Sequence, residues 1–113
     1  MVRILMAHAT NDGKLKNIIE ILKKEFLPNR MFLFGSRANG NARADSDFDF
    51  VLVVSEVRSR HEAEVRARSL ILNKCGVSAE IFIYGQEAFD NWKSELSSFP
   101  ETAMNTGREI DLG

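Results

Sequence analysis

Cysteine is nearly absent: Cys75 stands alone among 113 residues, which excludes an internal disulfide and fits a reducing compartment. Beside Gly76, near an expected helix end, it reads as a buried or half-buried thiol rather than a reactive one. A charge excess is missing too. Fifteen basic residues stand against sixteen acidic ones, a net charge of −1, so no overall field draws in nucleic acid or an acidic membrane. No apolar stretch approaches the ~20 residues that a membrane-spanning helix needs. The opening V-R-I-L-M-A-H-A is too short and too broken for a secretory signal, and the expected location is the cytoplasm. No Gly-Lys-Ser/Thr closes a glycine loop, which excludes an NTP site of the Walker type. No repeat, low-complexity run or linker interrupts the chain, so residues 1–113 are read as a single domain with one core.

What is present is the 44% apolar and 27% charged content of an ordinary globular domain. Residues 1–10 are ambiguous between a short strand and an extra helical turn, and His8 has no partner in sequence. From Asn11 or Asp12, either of which can cap a helix, Leu15, Ile18, Ile19, Leu22 and Phe26 recur at helical spacing until Pro28-Asn29 stops them. Residues 31–34 hold no polar group, as expected of a strand covered on both faces. A second strand is expected at 47–54. A helix follows at about 61–74, with Ala63, Ala67, Leu70 and Ile71 on its core face. Arg58, Arg60, Arg66 and Arg68 alternate there with Glu56, Glu62 and Glu64, the pattern of a salt-bridged exposed face. Gly76 ends that helix, and V-S-A-E-I-F-I-Y reads as a third strand. Residues 86–93 suggest a last helix with Phe89 and Trp92 as core cover. The tail from Ser97 is weakly patterned.

The chemistry concentrates in residues 33–54. An apolar run ends in Gly35-Ser36, a loop rich in Gly and Asn follows, and Asp47 and Asp49 open the next apolar run. Side chains two apart in a strand share a side, so both carboxylates face one way and Phe48 and Phe50 the other. Two crowded acids repel unless a cation lies between them. Hard oxygen ligands of this kind suit Mg²⁺, which leaves sites for substrate phosphate. Gly35 is either a plain turn glycine or a place where backbone comes close to a ligand. Ser36 either caps a short helix or offers its hydroxyl to a phosphate, and Arg37 is either a phosphate contact or a surface arginine. Asp45 reads as a solvated loop acid. Glu80, two before Phe82 and on the same strand face, is either a third ligand or a strand-end surface acid.

G-S-x-x-x-G followed by S-D-x-D at the head of an apolar strand resembles the signature of the DNA polymerase β-type nucleotidyltransferase superfamily. The short chain resembles its minimal single-domain members, often antitoxin partners of HEPN-domain toxins, to which they transfer AMP from ATP. The likeness is strongest over residues 33–54, and the order of elements agrees from about Lys14 onward. It implies an α/β (α+β) fold with a small mixed sheet flanked by helices, in which Gly107-Arg108-Glu109-Ile110 resembles a short terminal strand. It also implies Asp47, Asp49 and Glu80 as catalytic metal ligands for two Mg²⁺ ions, with Gly35, Ser36 and Arg37 on the phosphates of ATP. Two positions depart from the family pattern: Asn39 stands where a basic residue is common, and Glu80 where most relatives carry Asp.

The expected reaction is in-line transfer of AMP to a hydroxyl, by resemblance a tyrosine of a HEPN-type toxin. Because the motif consumes nearly the whole chain, the acceptor is expected to come from another macromolecule. Transfer to a small hydroxyl compound such as an aminoglycoside, or partner masking without chemistry, are the alternatives.

Overall fold

The computed structural model describes residues 12–35, 38 and 47–113. Residues 1–11, Ser36, Arg37, Asn39, Gly40 and Asp45, on which several expectations rest, lie outside the described residues. Helix α1 (Asp12–Phe26) carries Lys23 and Lys24 in its last turn, where they meet its carbonyl end. Leu15, Ile18 and Leu22 form its buried stripe, and Ile19 and Phe26 pack partly against the same core.

Strand β1 (Arg30–Phe34) follows, then β2 (Phe48–Val54), helix α2 (Arg60–Cys75) and β3 (Ala79–Gly85). Two short helices, α3 (Gln86–Trp92) and α4 (Phe99–Thr106), lead to the two-residue strand β4 (Arg108–Glu109). The sheet order is β3-β2-β1-β4. β1 is antiparallel to β2 and β4, while β2 and β3 run parallel. A parallel pair needs a crossover, and α2 supplies it. Its ends are well marked. The Ser59 hydroxyl accepts the Glu62 N–H, and Gly76, at φ 68°, returns its N–H to Leu72.

Strand alternation divides the apolar residues between two faces. Met31, Leu33, Phe48, Phe50, Leu52, Ile81 and Ile83 meet α1 and α2 in one core. Phe32, Phe34, Val51, Val53 and Tyr84 meet Phe89 and Ala103 in the other. Sequence spacing therefore placed Phe48 and Phe50 on the correct side of their strand. The expectation for Trp92 is overturned. Phe89 is fully buried and stacks on Phe32 at 5.7 Å, whereas Trp92 is 51% exposed. Helix α3 spans only seven residues and Trp92 is its last, so the sheet contact is already complete at Phe89. Leu70, expected in the core, is only half-buried. The tail, weakly patterned in sequence, forms α4, and β4 occupies the place expected of a terminal strand.

Charged side chains finish both ends of the sheet. Arg30 on β1 makes two 2.8 Å hydrogen bonds to Glu109 on β4 and lies over the Phe32 ring. That pairing holds the Glu109 carboxyl below its usual range. On the opposite edge, Arg60 and Glu64 form a salt bridge of the kind expected of α2, but both also reach the sheet. The Arg60 Nε donates to the Ile83 carbonyl at 2.9 Å, and the Glu64 carboxylate accepts the Ile83 N–H at 2.9 Å. The two side chains also pair with each other at 2.6 Å. An edge strand otherwise presents such backbone groups to any passing chain. The Glu64 side chain is only 12% exposed. Glu64→Ala removes the partner of Ile83 N–H and of Arg60, and should lower unfolding free energy by about 1–3 kcal/mol, measurable by urea denaturation.

Candidate active site

The topology brings three chain segments to one end of the sheet. β1 and β2 are antiparallel, so the end of β1 meets the start of β2, with Phe34 paired to Asp49. β2 and β3 are parallel, so both begin at this end, with Asp49 paired to Glu80. Register partners point to the same side of a sheet. Asp49 and Glu80 therefore share a face, and Asp47, two residues before Asp49, adjoins them at the start of β2. Of the expected site residues, the structure brings Asp47, Asp49, Glu80 and Gly35 together. Ser36 and Arg37 lie outside the described residues.

Burial is graded across the trio. Asp49 is half-buried, while Asp47 and Glu80 are exposed. Burial pushes the Asp49 carboxyl above the ordinary carboxylate range, and the negative charges of Asp47 and Glu80 push it further the same way. Asp49 thus feels the charges of both other acids. Among the described residues, no three His, Cys, Asp or Glu side chains stand in a ready-made ligand cluster. The donor set itself is all carboxylate oxygen, which suits a hard divalent cation, and a cation would relieve the repulsion concentrated on Asp49.

Gly35 adjoins that carboxylate. Its φ is +78°, in the left-handed region that side chains disfavour, and a Cβ built there would lie 2.5 Å from Asp49 Oδ2. Glycine is thus required at this corner by backbone conformation and by space. The Gly35 carbonyl accepts the Ala38 N–H at 3.1 Å, closing a turn after β1. Ala38 is buried, and its carbonyl accepts a hydrogen bond from Arg108 Nε on β4. Sequence reasoning gave Arg108 no role in this tie. Its partner lies 70 residues away, and only the pairing of β4 with β1 brings them together. Phe99 was missed as well, because α4 was not expected. The signal was present: Ser98-Phe99-Pro100-Glu101 has a helix-capping serine, a first-turn proline and a glutamate three places on.

Comparison with known proteins follows the same lines. The family model described as "Nucleotidyltransferase domain" matches residues 15–104. No curated protein matches the chain. Among solved structures, it resembles a toxin-antitoxin crystallised with AMP-PNP, with a TM-score of 0.62 at 16% identity, covering 83% of this chain and 70% of that one. It also resembles a putative nucleotidyltransferase from Sulfolobus solfataricus, with a TM-score of 0.47 at 22% identity over 70% of each chain. At such identity the first likeness speaks for the fold alone, and the second is too distant to carry weight.

Two outcomes follow from the geometry. Gly35→Ala should cost about 1–2 kcal/mol for the left-handed backbone alone, and more from its contact with Asp49, as read by chemical denaturation. Because folding raises the Asp49 pKa, the folded form favours the protonated acid, and stability is lost as pH rises through the folded-state value. Asp49→Asn should therefore raise the melting temperature of the metal-free protein at neutral pH. The gain should vanish below the ordinary carboxyl value of 3.8, where both forms are neutral, as a pH series of thermal melts would record.

Proposed function

The chain belongs to the nucleotidyltransferase domain family, and on that premise we propose that it transfers AMP from ATP to a partner protein's hydroxyl. The proposed acceptor is a tyrosine of a HEPN-type toxin, which the transfer neutralises, so that the chain acts as an antitoxin. The observation that carries this reading is the half-buried Asp49, crowded by the charges of Asp47 and Glu80 and covered by Gly35. A fold likeness to a toxin-antitoxin solved with AMP-PNP, an ATP analogue, supports the choice of nucleotide and of partner class.

In this reading Asp47, Asp49 and Glu80 hold up to two Mg²⁺ ions. When bound, such ions offset phosphate charge and lower the pKa of a coordinated hydroxyl. The remaining work belongs to the chain. Gly35 leaves room for close approach to Asp49, and its backbone, with Ser36, binds the β- and γ-phosphates, while Arg37 adds a positive charge. Glu80, the most exposed position of the pair on β2 and β3, helps take the proton of the acceptor hydroxyl. The freed oxygen attacks the α-phosphorus in line. A new P–O bond forms, the bond to the β-phosphate bridge breaks, and pyrophosphate leaves.

The test is an incubation of the protein with its HEPN partner, ATP and Mg²⁺, followed by intact-mass spectrometry of the partner. The expected result is a gain of whole AMP units that Asp49→Asn abolishes. No gain with the unaltered protein, or neutralisation that survives Asp49→Asn, would sink the enzymatic reading and leave a masking role.

A further inference from the structure

Beyond the acids, the same face of the sheet bears a seam of aromatic rings. Phe34, the last residue of β1, is the register partner of Asp49. Phe82 lies two residues beyond Glu80 on β3 and therefore shares its face. Phe99, which opens α4, touches both. Its ring centroid is 3.9 Å from that of Phe82, with only 14° between the planes, and 6.2 Å from that of Phe34. Phe99 thus abuts the neighbours of two of the three acids.

Core packing accounts for Phe34, which is 8% exposed, but not for Phe99, which is 43% exposed. Nor is the ring on a loose end. The Ser98 hydroxyl caps α4 by accepting the Glu101 N–H at 3.1 Å and donates to the Trp92 carbonyl at 2.7 Å. The backbone that carries Phe99 is therefore fixed at the residue before it. A fixed ring, stacked on a second ring and left open to solvent, is a surface on which another flat π-system extends the stack.

We propose that Phe99, backed by Phe82, is the platform on which the base of the donor nucleotide stacks. This rests on the nucleotidyltransferase reading and names the part of the donor that the acids and Gly35 leave unaccounted for. Carboxylates and a glycine corner address phosphates and cations; none of them offers a base anything to stack on. With the phosphates at the Gly35 corner, the base projects beyond them by one ribose. Among the described residues, the Phe34, Phe82 and Phe99 seam is an apolar surface adjoining the acids on their own face. An acceptor side chain could also rest there, but the nearly parallel rings suit the broad face of a base.

Calorimetric titration with AMP-PNP and Mg²⁺, and separately with inorganic tripolyphosphate and Mg²⁺, tests the proposal. Tripolyphosphate keeps the charges and lacks the base. Phe99→Ala should weaken AMP-PNP binding by between about 5- and 150-fold, the span reported by removing one base–aromatic stack, and leave tripolyphosphate binding unchanged. Phe99→Leu, which still covers Phe82, should weaken AMP-PNP alike, and Phe99→Trp should restore it. Unchanged AMP-PNP affinity in Phe99→Ala, or equal weakening of both probes, would overturn the platform. So would unchanged AMP-PNP affinity with weakened acceptor binding, which would assign the ring to the acceptor instead. Should the unaltered protein bind neither probe, the nucleotide-transfer reading itself falls; binding of both with no dependence on Phe99 removes the platform alone.

Discussion

The cost of a half-buried carboxylate, Asp49, set beside two further acids at one end of a parallel strand pair is the constraint around which the rest of the molecule is arranged. Burying Asp49, and setting it beside Asp47 and Glu80, raises the energy of the ionised folded state. A chain of this size has little stability to spare. The opposing contribution comes from elsewhere: two apolar faces, each with fully buried large side chains such as Phe50 and Phe89. Burying each such side chain contributes roughly 1.5–3 kcal/mol. The uncomfortable end of the sheet is held by a comfortable middle.

The two faces serve different ends. The face covered by α1 and α2 is a closed apolar layer, in which Ile18, Leu22, Phe50, Leu52 and Ile71 are packed together. The other, covered by the short helices α3 and α4, shares its strands' side chains with the acids. Asp49, Val51 and Val53 follow one another along β2 on that side, as Glu80, Phe82 and Tyr84 do along β3. Asp49 and Glu80 are thus the first members of the same alternation that builds this core. Pattern and chemistry are continuous along each strand.

This continuity explains what could be read before any coordinates. Apolar runs over residues 47–54 and 77–84 identified the strands, and the two-residue period of a strand assigned the faces of the acids that head them. Helical spacing from Leu15 to Phe26 identified α1. Local patterns could not report contacts between distant residues. Arg108 reaches Ala38 only after β4 has paired with β1, and Glu64 meets Ile83 only after α2 has folded across the sheet. Trp92 misled because its spacing from Phe89 fits a buried stripe, while its exposure is decided by where a seven-residue helix stops. Helix α4 escaped because it is two turns long, although its capping residues announced it.

The hydrogen bond from Arg60 to the Ile83 carbonyl and that from the Ile83 N–H to Glu64 carry a consequence for the acids they never touch. Ile83 lies three positions along β3 from Glu80, so its grip on α2 also indexes the strand lengthwise. Sliding β3 by one residue would turn every one of its side chains to the opposite face of the sheet. Such a slip would also turn the backbone groups facing Arg60 and Glu64 away from α2, leaving a nearly enclosed carboxylate without its backbone donor. The outer edge of the sheet thereby helps fix the register that sets Asp49 beside Glu80, at a distance from both.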